Sequence, residues 1–394
     1  MTLPLHIANI FGAVLSCIAF FNIFRLGKLS KDNLPRGMID MKKFLTLSLI
    51  GLLTLMFGMN LNPASASAPP LDATDLEAFL DSVIAEQMAE FDVPNLTVSV
   101  VASGEVILAK GYGFSDIEKE LPVAPDKTLF RIGSTSKLFT WTAVMQLVEQ
   151  GKLDLDTDVN QYLDFEIPSE LEYGRQREDV GPITLRHLMS HTPGFEDKLT
   201  GVFSLTEEDL MPLAQYVREQ RPARLFPPGE VSAYSNYGTI LAGYIVEVVS
   251  GVPFSQYVEE FIYSPLGMKN STFEQPLPAG LAENMSKAYR YVDGEFREGK
   301  FEFMSEPSGS MSSSASDMAR FMLAYLQGGQ LNGETILLEQ TVSKMFSEQF
   351  THHPRLDGMA HGFLKATVNS HDVFHIPVGL CSMIQDSICF QMKK

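Results

Sequence analysis

Apolar residues recur along the chain at two different spacings, and the changes between them mark out its elements. From Leu71 to Ala89, the positions Leu76, Phe79, Leu80, Val83 and Ile84 fall three or four apart with acidic residues early in the run, which predicts a helix. Leu96–Ala102 and Glu105–Tyr112 are strand-like and meet at Ser103-Gly104, a hairpin signal. Residues 135–150 predict a second helix, whose apolar side chains, from Leu138, Phe139 and Trp141 to Leu147 and Val148, cover most of its circumference. A helix apolar nearly all round is buried inside a domain, and Gly151 suits its C-terminal stop. Residues 155–305 read as mainly helical, broken by Pro-rich loops such as Phe226-Pro227-Pro228-Gly229. A further helix is predicted over 317–327 with Ser316 as N-cap, and a strand-like run over 359–368. Strands at both ends around a helical insertion imply an α+β fold: an antiparallel sheet flanked by helices, plus an all-helical region.

Two apolar runs precede all of this. In the second, Met41-Lys42-Lys43 leads into the apolar stretch Phe44–Met56 and then into Ala64-Ser65-Ala66-Ser67-Ala68. A short basic start, an apolar core and small residues at A-x-A spacing make a secretory signal peptide over 41–68, with cleavage after Ala66 or Ala68. The first run, Leu3 to Phe24, leaves two readings for residues 1–40: translation begins at Met41, or the two runs form a membrane hairpin. In the hairpin the basic residues between the runs, Arg25 to Lys43, would hold the loop on the cytoplasmic side. Either way the domain over 69–375 lies outside the cytoplasm, periplasmic or secreted. Membrane association follows if the N-terminal segments are retained.

Charge and cysteine usage narrow the chemistry. The 394 residues carry a formal charge of −18, and residues 1–70 hold six Lys/Arg against two Asp/Glu, which leaves the exported part at −22. Such a surface has no use for a phosphate backbone, so nucleic acid is excluded as a partner. The three cysteines, Cys17, Cys381 and Cys389, lie near the two ends, so no disulfide framework supports the fold.

Ser134-Thr135-Ser136-Lys137 opens the buried helix. A serine hydroxyl is a poor nucleophile until a neighbour takes its proton. A lysine three residues on lies on the same helical face, and burial lowers its pKa toward that of a usable base. Alone this is weak, since roughly one S-x-x-K occurs by chance in a chain this long. A hundred residues on, Tyr234-Ser235-Asn236 heads another apolar helix. A phenol can relay a proton with a lysine, and an Asn amide can both donate to and accept from an amide substrate; a core Tyr beside a capping Asn would look the same.

S-x-x-K followed by Y-x-N resembles the β-lactamase-related serine hydrolases: class C β-lactamases, low-molecular-weight D,D-peptidases (penicillin-binding proteins) and related esterases. FRIGSTSKLFTWTAVMQLVEQGKLDLDTDVNQYL, ITLRHLMSHTPGF, FPPGEVSAYSNYGTILAGYIVEVVSG and SGSMSSSASDMARFM are similar to that family in its order, over about residues 75–375. The resemblance implies acylation of Ser134, proton transfer by Lys137 and Tyr234, and substrate orientation by Asn236. It implies a small-molecule or peptidoglycan-type substrate, and neither cofactor nor metal.

The resemblance breaks near the end. The family's third motif, K-T-G or H-x-G, lies on a core strand that supplies an oxyanion donor. Here Asp357–Phe363 and Val373-Phe374-His375 resemble its approach, but Ile376-Pro377-Val378-Gly379 follows where a glycine pair is due. Residues 376–394 read as an aberrant tail from a frameshift or truncation, with C-terminal core strands missing. The expected consequences are an oxyanion donor lost, at a cost of ~10²–10³ in rate, and a buried helix left partly uncovered. Two function classes follow: a serine acyl-transfer enzyme acting on a β-lactam, a D-amino-acid peptide or a small ester, or a non-catalytic remnant of the same scaffold. The H-x-G character of the run-up favours ester or peptide over β-lactam. Asp154-x-Asp156-x-Asp158-x-Asn160 lacks the glycine and final glutamate of a calcium loop and reads as a solvated turn. His187 and His191 lack the glutamate of a zinc protease, and His191 reads as a loop former. The absence of G-x-S-x-G removes the α/β-hydrolase esterases.

Overall fold

The computed structural model describes residues 72–171, 180–301, 303–368 and 371–376, and the backbone of 388–392. The N-terminal apolar runs, the A-x-A sites and the three cysteine side chains lie outside these residues.

Helix α1 (Ala73–Glu90) buries Leu76 and Leu80 against the hairpin of β1 (Asn95–Ala102) and β2 (Glu105–Asp116). Lys110 on β2 donates to Glu77 (2.7 Å) and Asp81 (2.9 Å) on α1, and Tyr112 donates to Asp81 (2.8 Å). The hairpin turn has Ser103 at φ 52° and Gly104 at φ 83°. Two successive positive φ values make the tight turn whose twist matches that of paired strands.

Helix α2 (Lys137–Glu149) follows a single 3₁₀ turn, Gly133–Ser136. Every residue from Lys137 to Leu147 is buried, so the expected uncovering of this helix does not occur. Helix α3 (Asn236–Ser250) and the short α4 (Glu306–Gly309) pack on α2. Phe139 stacks on Phe321 (centroids 4.2 Å) and meets Tyr263 edge-on (5.6 Å). Trp141 is covered by Gly362, where an added Cβ would lie 2.2 Å from the indole.

Strands lie at both ends of the domain, with helices between and over them, as the α+β reading requires. The strands form several antiparallel sheets among the described residues, among them β1–β2 with Leu121–Pro122, and a four-stranded sheet of β3 (Gly358–Met359), β4 (Leu364–Val368), β5 (His371–Ile376) and β6 (Ile388–Met392) in sequence order. No strand pairing joins them among the described residues. β6 pairs with β5 from Asp372↔Met392 to Ile376↔Ile388, so part of the tail segment carries strand backbone. A third small sheet pairs Phe130–Arg131 with Ser312–Ser313, and the latter with Ser271–Thr272.

Two local readings need correction. Helix α5 (Ala315–Leu326) is capped by Ser314, not Ser316: Ser314 has the extended backbone of a cap and its Oγ accepts from the Asp317 N–H (3.3 Å). Ser316 lies in the first turn and donates its N–H to the Pro125 carbonyl (2.9 Å). The stretch 155–305 also contains a hairpin, Tyr289–Val292 with Glu295–Glu298, turning at Asp293 (φ 55°) and Gly294 (φ 87°). Asp-Gly between short aromatic runs is a strong hairpin signal, present in the sequence itself. No single helix among the described residues is long and apolar enough to cross a membrane.

Candidate active site

The placement of Ser134 begins in the backbone before it. The strand Phe130–Arg131 enters a turn in which Ile132 donates to the Met311 carbonyl (3.0 Å). Gly133 takes φ 53°, a left-handed conformation that glycine adopts without steric cost. Ser136 is wholly buried, and its hydroxyl donates to the Gly133 carbonyl (2.5 Å) while accepting from the Met311 N–H (3.2 Å). These bonds tie the turn to the segment after α4. Gly133, Thr135, Ser136 and Lys137 are buried, and Ser134 alone of the five keeps partial exposure. The Thr135 N–H donates to the Ile132 carbonyl (3.2 Å) and the Lys137 N–H to the Ser134 carbonyl, whereas Ser134, in the first turn, has an N–H that the helix itself does not use.

Lys137 lies at the start of α2 and is 1% exposed. Its ammonium has three hydrogens and three acceptors: Ser134 Oγ (3.1 Å), Asn236 Oδ1 (2.8 Å) and the Ser308 carbonyl (2.7 Å). Burial disfavours the charged form and brings its pKa down to about 7, opposed in part by the field of Asp197. Near neutral pH the amine is therefore divided between its two forms.

Tyr234 reaches the same hydroxyl from the other side, donating to Ser134 Oγ at 2.7 Å. Its ring lies 4.9 Å from the Lys137 ammonium. Burial raises the phenol well above its usual pKa, so at neutral pH it carries its proton. Two neighbours aim the residue. Ser235 caps α3, its Oγ accepting from the Gly238 N–H (3.0 Å). His191 lays its ring against the phenol (centroids 4.5 Å, 34° between planes). His191 Nδ1 accepts from the Ser235 N–H (3.2 Å), and its carbonyl accepts from Ala233 N–H (2.8 Å). Burial, with the charge of Lys137, drives the imidazole pKa down to about 3, so this histidine is a neutral strut.

The structure thus brings together all four residues singled out from the sequence, Ser134, Lys137, Tyr234 and Asn236. Asn236 turns its carbonyl oxygen to the lysine. Sequence reasoning missed Ser308, whose carbonyl is the third acceptor for Lys137, and gave His191 no place at the site. The run of small residues over 308–314 was the available signal for the first; nothing local marks the second. The aspartates of the 154–160 turn are used locally. Asp156 pairs with Arg186 through two bonds (2.6 and 2.8 Å), and Asp154 and Asp158 accept backbone N–H groups within the turn. Among the described residues no group of three His, Cys, Asp or Glu could hold a metal ion. An arrangement of this kind suits acyl transfer: a partly exposed hydroxyl between a buried amine near its own pKa and a protonated phenol.

Comparison with known proteins agrees. Protein flp of Staphylococcus aureus (strain MW2) is 29% identical over 203 residues, 51% of this chain and 39% of that protein. A putative penicillin-binding protein, PbpX of Bacillus subtilis (strain 168), is 31% identical over 188 residues, 46% of this chain and 44% of that protein. The matched part thus spans less than half the length of these curated relatives. The octameric penicillin-binding protein homologue from Pyrococcus abyssi superposes with a TM-score of 0.64 at 26% identity, covering 77% of this chain and 68% of that one. The family model described as Beta-lactamase matches residues 80–379, three-quarters of the sequence and all of the site; the chain belongs to the beta-lactamase family, a family of serine hydrolases.

Proposed function

We propose that this chain is an exported serine hydrolase that works through an acyl-enzyme on Ser134. The observation that carries the reading is the position of Ser134 Oγ, 3.1 Å from the Lys137 amine and 2.7 Å from the Tyr234 hydroxyl. In its neutral form Lys137 takes the hydroxyl proton as Oγ attacks a carbonyl carbon, and the ammonium so formed is held by Asn236 and Ser308. Tyr234 gives its proton to the leaving amine or alkoxide, and the phenolate regains one from the adjacent Lys137 ammonium. Water then releases the acyl group by the same steps in reverse. The Ser134 N–H, in the first turn of the helix, is the donor we assign to the developing oxyanion.

The substrate class is a β-lactam, a D-amino-acid peptide or a small ester, with ester or peptide favoured by the H-x-G-like approach in β5. Export rests on the signal-peptide pattern of residues 41–68. Intact-mass measurement after incubation with benzylpenicillin and with an activated ester tests the reading. One acyl adduct, absent from Ser134→Ala, is the expected result; no adduct from either reagent would overturn it. A second reading, a ligand-binding protein without turnover, is favoured by one observation, the absence of a glycine pair after His375. Reversible binding of the same reagents without an adduct would support it.

A further inference from the structure

The backbone that delivers Tyr234 belongs to no helix or strand. Residues 231–235 run irregularly from the turn at Pro228–Glu230 into α3, so their N–H groups need partners outside any regular ladder. Ala233 donates to the His191 carbonyl (2.8 Å) and Ser235 to His191 Nδ1 (3.2 Å). The Ser232 N–H is held from elsewhere: it donates to Nε2 of His352 (3.2 Å), 120 positions along the chain. To accept there, the His352 ring carries its hydrogen on Nδ1.

His352 stands on a loop, Thr351–Leu356, that is built to hold its place between the helix Glu339–Met345 and β3. At its base Phe350 and Met359 exchange backbone bonds (2.7 and 3.1 Å). Within it, the Thr351 hydroxyl donates to the His353 carbonyl (2.8 Å). The Arg355 N–H donates to His353 Nδ1 (3.1 Å), and the Leu356 N–H to the His353 carbonyl (2.8 Å). The Phe350 ring meets the His352 ring edge-on (4.8 Å, 87°). The root of the loop is tied to the helix Leu185–Met189, just before His191. Arg186 donates to Gln349 Oε1 and, through the same nitrogen, lies 3.4 Å from His361 Nε2. The loop thus reaches from the root of the β3–β6 sheet to the segment that carries the phenol.

We infer that His352 is a positioning residue for Tyr234, acting through the Ser232 N–H to fix the backbone from which the phenol reaches Ser134. The inference rests on the proposed proton transfer by Tyr234. That hydroxyl lies 2.7 Å from Ser134 Oγ, and small displacements of a proton-transfer group are costly in rate. The two bonds to His191 remain when the His352 ring is removed, and His352 itself is exposed, so water competes for its bond. The expected loss is therefore about 3- to 10-fold, less than the full effect of deleting the phenol hydroxyl.

The test compares, in the full-length protein, His352→Leu, which has no acceptor, with His352→Gln, whose amide oxygen has a reach similar to that of Nε2. The quantity read is kcat/KM for benzylpenicillin and for ethyl butyrate, whose amine and alkoxide leaving groups must gain a proton. His352→Leu should slow acylation about 3- to 10-fold with an unchanged melting temperature, and His352→Gln should restore it to within about 2-fold. In a Tyr234→Phe background the same His352→Leu change should have no effect, since the hydroxyl it displaces is gone. A His352→Leu rate equal to that of the wild type would overturn the inference, and so would an equal loss in the Tyr234→Phe background. If neither reagent acylates the wild type, the acyl-enzyme reading is the one in difficulty, and amide hydrogen exchange then decides this one. Faster exchange at Ser232, Ala233 and Ser235 in His352→Leu, restored in His352→Gln, supports it; exchange unchanged by His352→Leu overturns it.

Discussion

Replacing Lys137 by methionine should change not only activity but the way stability depends on pH. Lys137 is buried with a pKa near 7, against 10.5 when free. Between those values the unfolded chain binds a proton that the native protein does not, so the stability of the native state rises with pH across the window. The cost of burial is greatest at and below pH 7 and fades as pH approaches 10.5. Integrated from pH 7.5 to 9.5, this one group adds about 2–3 kcal/mol of stability. Methionine has similar volume and no charge, so Lys137→Met should lose that rise. It also leaves Asn236 Oδ1 and the Ser308 carbonyl without their donor, at about 1–3 kcal/mol each, but that cost does not vary with pH. Absolute stability is therefore uninformative, and the difference in slope is the test.

The other perturbed groups are common to both proteins, so their part cancels in the difference of slopes; Glu306, raised by burial to about 7, titrates at the lower edge of the window in both. His191 titrates below the window, and Lys110, Lys287 and the buried phenols of Tyr234 and Tyr237 titrate above it. Urea unfolding at pH 7.5, 8.5 and 9.5 measures the effect, with the single tryptophan, Trp141, buried one turn along the same helix, as fluorescent reporter. Parallel pH dependence in the two proteins, within about 0.5 kcal/mol, would mean that Lys137 stays charged when folded, and would remove it as a general base.

Two further outcomes arise from the same geometry. Tyr234→Phe removes the hydroxyl that contacts Ser134 while keeping the ring against His191, so acylation should slow by ~10²–10⁴ with little change in melting temperature; a rate within about 3-fold of wild type would exclude the phenol from proton transfer. Gly243→Ala would place a Cβ 2.4 Å from Pro307 Cγ, forcing apart α3 and α4 and withdrawing the Ser308 carbonyl from Lys137. Stability should fall by about 1–3 kcal/mol and acylation should slow, whereas a well-folded variant with full activity would show that Ser308 does not help hold the lysine.

Much of the domain was legible in the order of its residues, because the signals involved are local. The Ser103-Gly104 turn, the all-round apolar face of α2 and the i, i+3 spacing of Ser134 and Lys137 each depend on neighbours within a turn or two. The resemblance to known sequence blocks added Tyr234 and Asn236. The cap of α5 was not legible, for a reason equally local in origin: several serines compete for it, and which one adopts extended backbone depends on the pairing of Ser312–Ser313 with Phe130–Arg131.

The sequence by itself therefore determined which groups are chemically able, and on which elements they stand. Only the tertiary structure decided their states. Lys137 loses much of its preference for the charged form because it is buried away from water, even though Asn236 and Ser308 supply acceptors for its ammonium. His191 stays neutral because it is buried beside that amine. Reactivity depends on solvent exclusion and on distances between residues a hundred or more apart, and neither is set until the chain has packed.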